Sequence, residues 1–581
     1  MNISVGLISH SFAWEQLLLQ EGVPFTVVDL SRGLPADEVS VVAINRPIAG
    51  AEIAVIEQFL RHGGAVLGAA HHLEGVSGIT SRQEWIEFLI PDGEEVLHGL
   101  SILDLGMMGS IPREANTLRT QGGTHAVFAG ELDSGLAVVL PFDPESALVD
   151  MRVVGKSFYA RRERLPGERV SLVAKGEIHH LIHAALEFLH HRRGIPYAHL
   201  WYFPGDAPSV FIFRIDTDNA STTDIEALYA TSREFGIGMT WFLDVRSHQR
   251  WLEHFAAMTG QEIGVHCFEH RVFESYEENL RNIRRAREML ELLGIRPMGF
   301  AAPFGGWNPA LAKAVDSLGF LYSSEFSLAY DAFPMHASTR TGVFNPLQIP
   351  IHPICPGSLT KIGYSEDEAT RYFAARVDDK LSRDEAIIFY HHPGQRAWKT
   401  IRSLFTLIRE RKIDCITMGE YARWWNLRLA VKYVVRSEGN ELFVEFEGNP
   451  AGADDRFSPL PTCHGVALAV RRSQSARCLS RAGEHHCAES LGAAYTRNVL
   501  IKINGCLPTL DSTAYGGTDW PRVADHKTKQ ELKLDTIQLD RGGSPRPSGE
   551  PPERANRSQE GDLASFRRYL ATGSRREPLA G

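Results

Sequence analysis

Five short apolar runs in the middle of this 581-residue chain each finish in a polar or turn-forming group, and this pattern limits the folds available more than any other feature. Ser209–Ile215 runs into Asp216-Thr217-Asp218, and Gln261–Val265 into His266, with His270 four residues on. Met298–Ala302 leads to Pro303-Phe304-Gly305-Gly306, Leu347–Ile351 to His352, and Ala386–Tyr390 to His391-His392-Pro393. Amphipathic segments with helix signals lie between them. Ser275 and Glu278 form a capping box ahead of the Leu280, Ile283, Leu290 and Leu293 stripe, which Gly294 closes. Asn308 and Pro309 open a second helix that ends at Gly319, Ser365 and Glu368 open a third, and a fourth spans Trp398–Arg411. Strands alternating with helices predict a parallel sheet, and parallel barrels build their active sites from the carboxyl ends of the strands.

The residues at those ends suit metal-assisted chemistry. Asp216 and Asp218, two apart, share a side of an extended strand. Two carboxylates there cannot both ionise cheaply without a cation, which would take one as ligand and leave the other as base. Alone, the pair also reads as an exposed turn or as the metal-nucleotide motif of a glycosyltransferase. His266 and His270 can reach one ion if the segment turns after the strand. With 24 histidines in the chain, chance pairs are expected. His179, His180 and His183 form another group on a predicted helix, and His190-His191 a further one. Both are set aside because no carboxylate-bearing strand end flanks them in sequence. Cys267 alternates away from the histidines and lacks a dedicated base, which argues against a nucleophile. Trp241, Phe242, Phe304 and Trp307 read equally as sugar-stacking or core residues.

Taken together, Asp-x-Asp, then His-x3-His, then Ala-Pro-Phe-Gly, then a late His pair make residues 205–425 resemble the polysaccharide deacetylases of the NodB-homology type, carbohydrate esterase family 4. The resemblance implies a (β/α) barrel with Asp216 as base, Asp218, His266 and His270 as ligands of a divalent metal such as Zn²⁺, and His392 or His391 as acid. His392 is favoured because it precedes a proline. Pro303, Phe304 and Gly305 would line the substrate groove, with His352 as a secondary pocket residue. The third motif's Arg falls on Ala301, so the group that orients the base is missing from its usual place. Arg214 can replace it only if it faces the pocket. The implied reaction is removal of an N-acyl group from an amino sugar or glycan intermediate in polysaccharide or lipopolysaccharide assembly. Hydrolysis of a non-sugar linear or cyclic amide, a carbohydrate-binding protein that has lost catalysis, and the glycosyltransferase remain alternatives.

The rest of the chain divides around this segment. Residues 1–195 alternate candidate strands (Ser4–Ser9, Phe25–Leu30, Val39–Asn45, Gly64–Ala69) with helices such as Ala51–His62 and Glu177–Arg192. They resemble a flavodoxin-like, class I glutamine-amidotransferase-like domain. However, the turn after Gly64–Ala69 reads Ala70-His71-His72 and the stretch contains no cysteine, so that nucleophile is absent. The deacetylase-like barrel takes 196–430, a small β unit 431–475, and a low-order tail 476–581, where the Pro-, Gly- and Ser-rich Arg541–Glu560 predicts disorder. The net charge of −10 gives no general attraction to nucleic acid. Seven cysteines without a CxxC pair read as reduced thiols. The first residues lack signal-peptide features and no long apolar run suggests a membrane span, so a cytoplasmic location is expected.

Overall fold

The computed structural model describes residues 1–447 except 35–36, 92–95, 159–164, 206, 341 and 439–440, and beyond them five short strands between 467 and 577. In the N-terminal part, Phe25–Val27, Val5–Leu7, Val41–Ile44, Ala65–Ala69 and Gly135–Leu140 lie side by side and parallel. Both faces are covered at Val5–Leu7, Val41–Ile44, Ala65–Ala69 and Gly135–Leu140, which is why these strands read as apolar runs, whereas Thr26 and Val27 of the edge strand are exposed. Val5, Leu7, Val41, Ala43 and Leu67 pack towards Trp14, Leu17, Ile178 and Ile182 of the helices Phe12–Glu21 and Lys175–His191. Val42, Ile44 and Val66 pack towards Ile56, Phe59 and Leu60 of Ala51–Arg61. From Gly135–Leu140 the same sheet continues antiparallel through His125–Leu132, Thr117–Thr120, Ser81–Ile90 and Leu103–Pro112. Strand–helix alternation does not extend to residues 81–132; there the strands are antiparallel, Ser81–Ile90 lying between Leu103–Pro112 and Thr117–Thr120, and on the exposed side Trp85 and Met108 pair across strands.

The second sheet is curled and parallel-rich. Its order is Met335–Thr339, Gly342–Gln348, Tyr322–Ser323, Gly299–Phe300, Glu262–Val265, Thr240–Leu243, Val210–Asp216 and Ile387–His391; only the hairpin of the first two is antiparallel. One hydrogen bond, from His352 N–H to Ile388 C=O at 3.0 Å, ties the segment after Gln348 to the far edge. Helices pack outside: Thr222–Phe235, Tyr276–Glu291, Pro309–Ser317, Glu366–Leu381, Trp398–Glu410 and Met418–Ala430. Their starts follow the sequence signals. Ser275 and Asn308 accept from the backbone N–H groups of Glu278 and Leu311, and Ser365 with Glu368 closes a full capping box. Alternation sorts the Val210–Asp216 strand. Phe211 and Phe213 face Phe405 of an outer helix, while Arg214 and Asp216 face inwards.

After the last helix, Lys432–Glu438 and Glu441–Glu447 form an antiparallel hairpin, and Ile3 N–H donates to Val435 C=O, tying it to the start of the chain. Short strands occur at Val499–Asn504, Thr509–Asp511 and Ser574–Glu577; the expected disordered stretch Arg541–Glu560 lies outside the described residues. Among the described residues no helix is long and apolar enough to cross a membrane.

Arg428, fully buried near the end of the last helix, joins the two sheet systems. It donates to the carbonyls of Trp201 (2.9 Å), Leu19 (3.0 Å), Glu21 (3.0 Å) and Leu200 (2.8 Å). Arg428→Ala takes a donor from four acceptors, of which, among the described residues, only the Leu200 carbonyl keeps a second side-chain partner, His199. At roughly 1 kcal/mol or more for each, we expect a loss of about 3–5 kcal/mol in denaturant unfolding; a loss below about 1 kcal/mol would mean that water replaces the guanidinium.

Candidate active site

The inward pair Arg214 and Asp216 forms a two-pronged ion pair, Nε to Oδ1 and Nη2 to Oδ2, both 2.7 Å. A third prong, Nη1, crosses the interior to the Ser324 carbonyl at 2.7 Å and its hydroxyl at 3.1 Å. Burial pushes the Asp216 carboxyl up, but Arg214 and the nearby His266 outweigh it and hold the group below its ordinary range. Arg214 thus stands where the Ala301 substitution leaves a gap. Ala301 instead accepts, through its carbonyl, a 2.7 Å bond from His266 Nδ1. A carbonyl cannot donate, so Nδ1 carries the proton and Nε2 presents its lone pair to the pocket.

That lone pair meets two other groups. Asp218, just past the strand with φ of 41°, places Oδ1 3.5 Å from His266 Nε2 and 3.1 Å from His270 Nε2, and the two imidazole nitrogens are 3.1 Å apart. Oδ1 is buried yet makes no hydrogen bond of good geometry. Burial alone would push the Asp218 carboxyl up, but the three histidines around it hold it far below the usual range. Ligands at about 2.0–2.2 Å around a tetrahedral ion are separated by about 3.3–3.6 Å, close to these spacings. The left-handed turn at Cys267, φ of 68°, lets the segment double back so that both histidines reach one point. Cys267 itself is buried, and burial pushes its thiol well up, as its alternation away from the histidines predicts.

The late His pair is separated by strand alternation. His392, on the same side as Tyr390, points Nε2 at Asp218 Oδ2 (3.7 Å) and Nδ1 at Cys355 Sγ (3.7 Å). Burial pulls its imidazolium down, but Cys355, Asp218 and Asp216 raise it to about 9. His391 faces the helical layer beside Phe213 and Trp398, fully buried, with neither nitrogen in a hydrogen bond of good geometry; burial drives it down to about 3. The structure therefore does not bring His391 to the cluster. Nor does it bring His352 there. That imidazole is held by Asp331 (2.9 Å) and Tyr372 (2.8 Å) in a separate network with Lys380, Glu385 and His180.

The Pro303-Phe304-Gly305 turn borders the pocket. Phe304, with φ of 58°, is 75% exposed and meets the His270 imidazole edge to face, ring centres 4.9 Å apart. Gly305 is required by packing, since a Cβ there would fall inside the Phe326 ring. Trp241 and Phe242 are wholly buried core residues, whereas Trp307 is half-buried beside Phe344. Glu168, from the Gly167–Ser171 strand of the N-terminal part, adds a carboxylate within electrostatic reach of His392 and Lys361.

Two pocket residues escape sequence reasoning. Glu325 follows the Tyr322–Ser323 strand, too short to stand out as an apolar run; its carboxyl accepts from Ala302 N–H at 3.1 Å and from the Ser323 hydroxyl. Cys355 caps the short Pro356–Lys361 helix and gains its role only by meeting His392 across 37 positions.

Residues 213–323 match the family model described as polysaccharide deacetylase. Among solved structures, the chain is similar to a protein of Mycobacterium smegmatis described as a polysaccharide deacetylase: 17% identity, 39% of this chain and 92% of that one, TM-score 0.34. Similarity to a Pseudomonas aeruginosa PAO1 protein of the same description is 17% over 39% of this chain and 93% of that one, TM-score 0.34. For the family 4 carbohydrate esterase from Streptomyces lividans in complex with acetate it is 12%, over 36% and 92%, TM-score 0.27. No curated protein matches the chain.

Burial raises the Glu325 carboxyl to about 7, against roughly 4.3 when unfolded. A raised group contributes stability that is full below its unfolded pKa and is lost as pH rises through its folded one. Glu325→Gln removes that term, so the variant should gain on the parent as pH rises from about 4.5 to about 7.5. Thermal melts across that range test this; parallel curves would count against a raised Glu325.

Proposed function

Starting from a polysaccharide deacetylase domain at residues 213–323, we propose that the chain is a metal-dependent hydrolase that removes the acyl group from an N-acylated amino sugar or glycan. The observation that carries this reading is the convergence of Asp218, His266 and His270 on one point, with the Arg214–Asp216 pair and His392 beside it. The donor set fits a divalent ion. One carboxylate and two imidazoles, that of His266 with its tautomer fixed, suit Zn²⁺, and the buried, unbonded Asp218 Oδ1 faces the same point. When bound there, such an ion supplies Lewis acidity and brings the pKa of a coordinated water to about 7.

The chain's own residues supply the proton steps. Asp216 accepts the proton of the attacking water. Arg214 keeps it ionised at neutral pH, at some cost in basicity, and fixes its plane so that one lone pair faces the pocket. His392, protonated and with Nε2 turned inwards, donates to the departing amine. The Phe304 backbone N–H is the proposed donor to the oxyanion, and the exposed Phe304 ring offers a face on which a sugar can stack. The nucleotide-sugar reading of Asp216-Thr217-Asp218 leaves the two imidazoles at Asp218 without a task.

Acetate release from N-acetylated amino sugars, free, oligomeric and nucleotide-linked, tests the proposal. Asp216→Asn and His392→Ala should each lower kcat by about 10²–10⁴-fold, whereas His391→Leu should stay within about tenfold of the parent. Asp218→Ala should lose the metal held in this pocket together with activity. Acetate release that is unchanged in Asp216→Asn removes Asp216 as the base, and release that survives loss of the metal removes metal dependence.

A further inference from the structure

The histidines of the Lys175–His191 helix lack a flanking carboxylate in sequence, but the fold supplies one. Glu21, the last residue of the Phe12–Glu21 helix, is fully buried against them. Its Oε1 lies 2.8 Å from His183 Nδ1 and 3.9 Å from His199 Nδ1, and its Oε2 lies 3.0 Å from His179 Nε2. His199 comes from a third element, the Tyr197–Leu200 strand that leads into the deacetylase segment. Ligand atoms of Glu21, His183 and His199 all lie within 4.8 Å of one another.

Three features separate this cluster from an ordinary buried hydrogen-bond network. His179 is 2% exposed and neither of its nitrogens makes a hydrogen bond of good geometry, although Nε2 is only 3.0 Å from the carboxylate. A buried imidazole placed so normally finds a partner. His183 points its second nitrogen at Glu187 (3.7 Å), the outer carboxylate that metal-bound histidines usually have. The separations of 2.8–3.9 Å also bracket the edge of about 3.3–3.6 Å expected around a tetrahedral ion. His199 Nδ1 lies 3.0 Å from the Leu200 carbonyl, and His183 Nδ1 hydrogen-bonds to Glu21 Oε1 at 2.8 Å and lies 3.4 Å from the Tyr202 hydroxyl, so each nitrogen gives up a proton when an ion takes its place. The hydroxyls of Tyr197 and Tyr202 donate to the carboxylate. Arg428 spends its donors on backbone carbonyls and makes none of its hydrogen bonds to the Glu21 side chain.

We propose that Glu21, His183 and His199, with His179 beside them on the second carboxylate oxygen, form a second metal site for a divalent ion of the Zn²⁺ class. Tyr202 stacked on Phe333 (4.4 Å), with Phe333 5.0 Å from His179, walls it in. It is therefore a closed, structural site that pins the N-terminal part to the deacetylase segment.

Metal analysis of the purified full-length protein after dialysis tests this independently of the catalytic reading. His270→Ala disables the pocket in the curled sheet. That variant should keep about one equivalent of transition metal, the parent about two, and His183→Ala with His270→Ala none. His183 is chosen because its side chain is partly exposed, so its replacement threatens folding less than that of Glu21. A second readout is the melting temperature. Zn²⁺ added to chelator-treated His270→Ala should raise it by several degrees, and should leave His183→Ala with His270→Ala unmoved. If His270→Ala holds no metal and Zn²⁺ does not shift its melting temperature, the cluster is bridged by protons alone and the second site is refuted. Loss of acetate release with the second site intact would instead strike the catalytic reading.

Discussion

A carboxylate taken out of water must find a positive partner, and the pocket is organised around how Asp216 meets that demand. Arg214 sits two residues earlier on the same strand, so pleating places the two side chains on one face without any loop having to be positioned. The guanidinium then spends its remaining donor on Ser324, across the interior, and so braces the end of the Val210–Asp216 strand against the end of Tyr322–Ser323. This explains how Ala301 can be tolerated. The Ala301 backbone carbonyl sets the His266 tautomer, while the counter-ion to Asp216 comes from its own strand. Buried ion pairs of this kind add little net stability, but they fix geometry, and a reacting site needs geometry.

Much of this was legible in the sequence, and the parts that were not share a cause. The five strand ends, the capped helices and the Asp218–His266–His270 grouping depend on short-range rules: pleat, cap and turn. The choice between His391 and His392 depends on the same pleat, because the strand that buries His391 against Phe213 and Trp398 must turn the next side chain inwards. His352 ends an apolar run just as His266 does, yet it meets Asp331 and Tyr372, partners set by tertiary packing that no local signal encodes. Two-residue strands such as Tyr322–Ser323 leave no periodicity to read, so Glu325 passed unseen. In the N-terminal part four of the five parallel strands stood out as apolar runs, while Gly135–Leu140, reached only after the antiparallel strands, did not. Nor did the antiparallel strands of 81–132, since a half-exposed antiparallel sheet alternates polar with apolar and is easily read as loop.

Charge also crosses between the two sheet systems. Lys156 pairs with Asp104 at 2.8 Å and donates to Tyr330, while Lys175 donates to the carbonyls of Asp150 and Leu328, both at 2.7 Å. Arg383 pairs with Glu177, and Glu385 takes His180, Lys380 and Arg383. Burying so many charges is costly unless each finds its partner, so any shift between the sheet systems would strand several at once. The contact thus defines one relative placement more sharply than an apolar contact of the same size would. It also holds Glu168 near His392, which gives the N-terminal part a share in the pocket's field without a nucleophile of its own.

The two imidazole clusters differ in the one respect that separates working from structural metal chemistry. Asp218 and His270 keep a third and a quarter of their side-chain surface open, next to the exposed Phe304 ring, so a substrate can approach the point they face. Glu21 and His199 have none, and aromatic rings fill the space around them. A cation among the first set can exchange a ligand for substrate, whereas one among the second can only hold chain segments together. The same donors, one carboxylate with imidazoles, would thus serve opposite ends according to solvent access. The rings that close the second cluster come from both sides of the junction between the two sheet systems, so its ligand geometry depends on that junction being assembled.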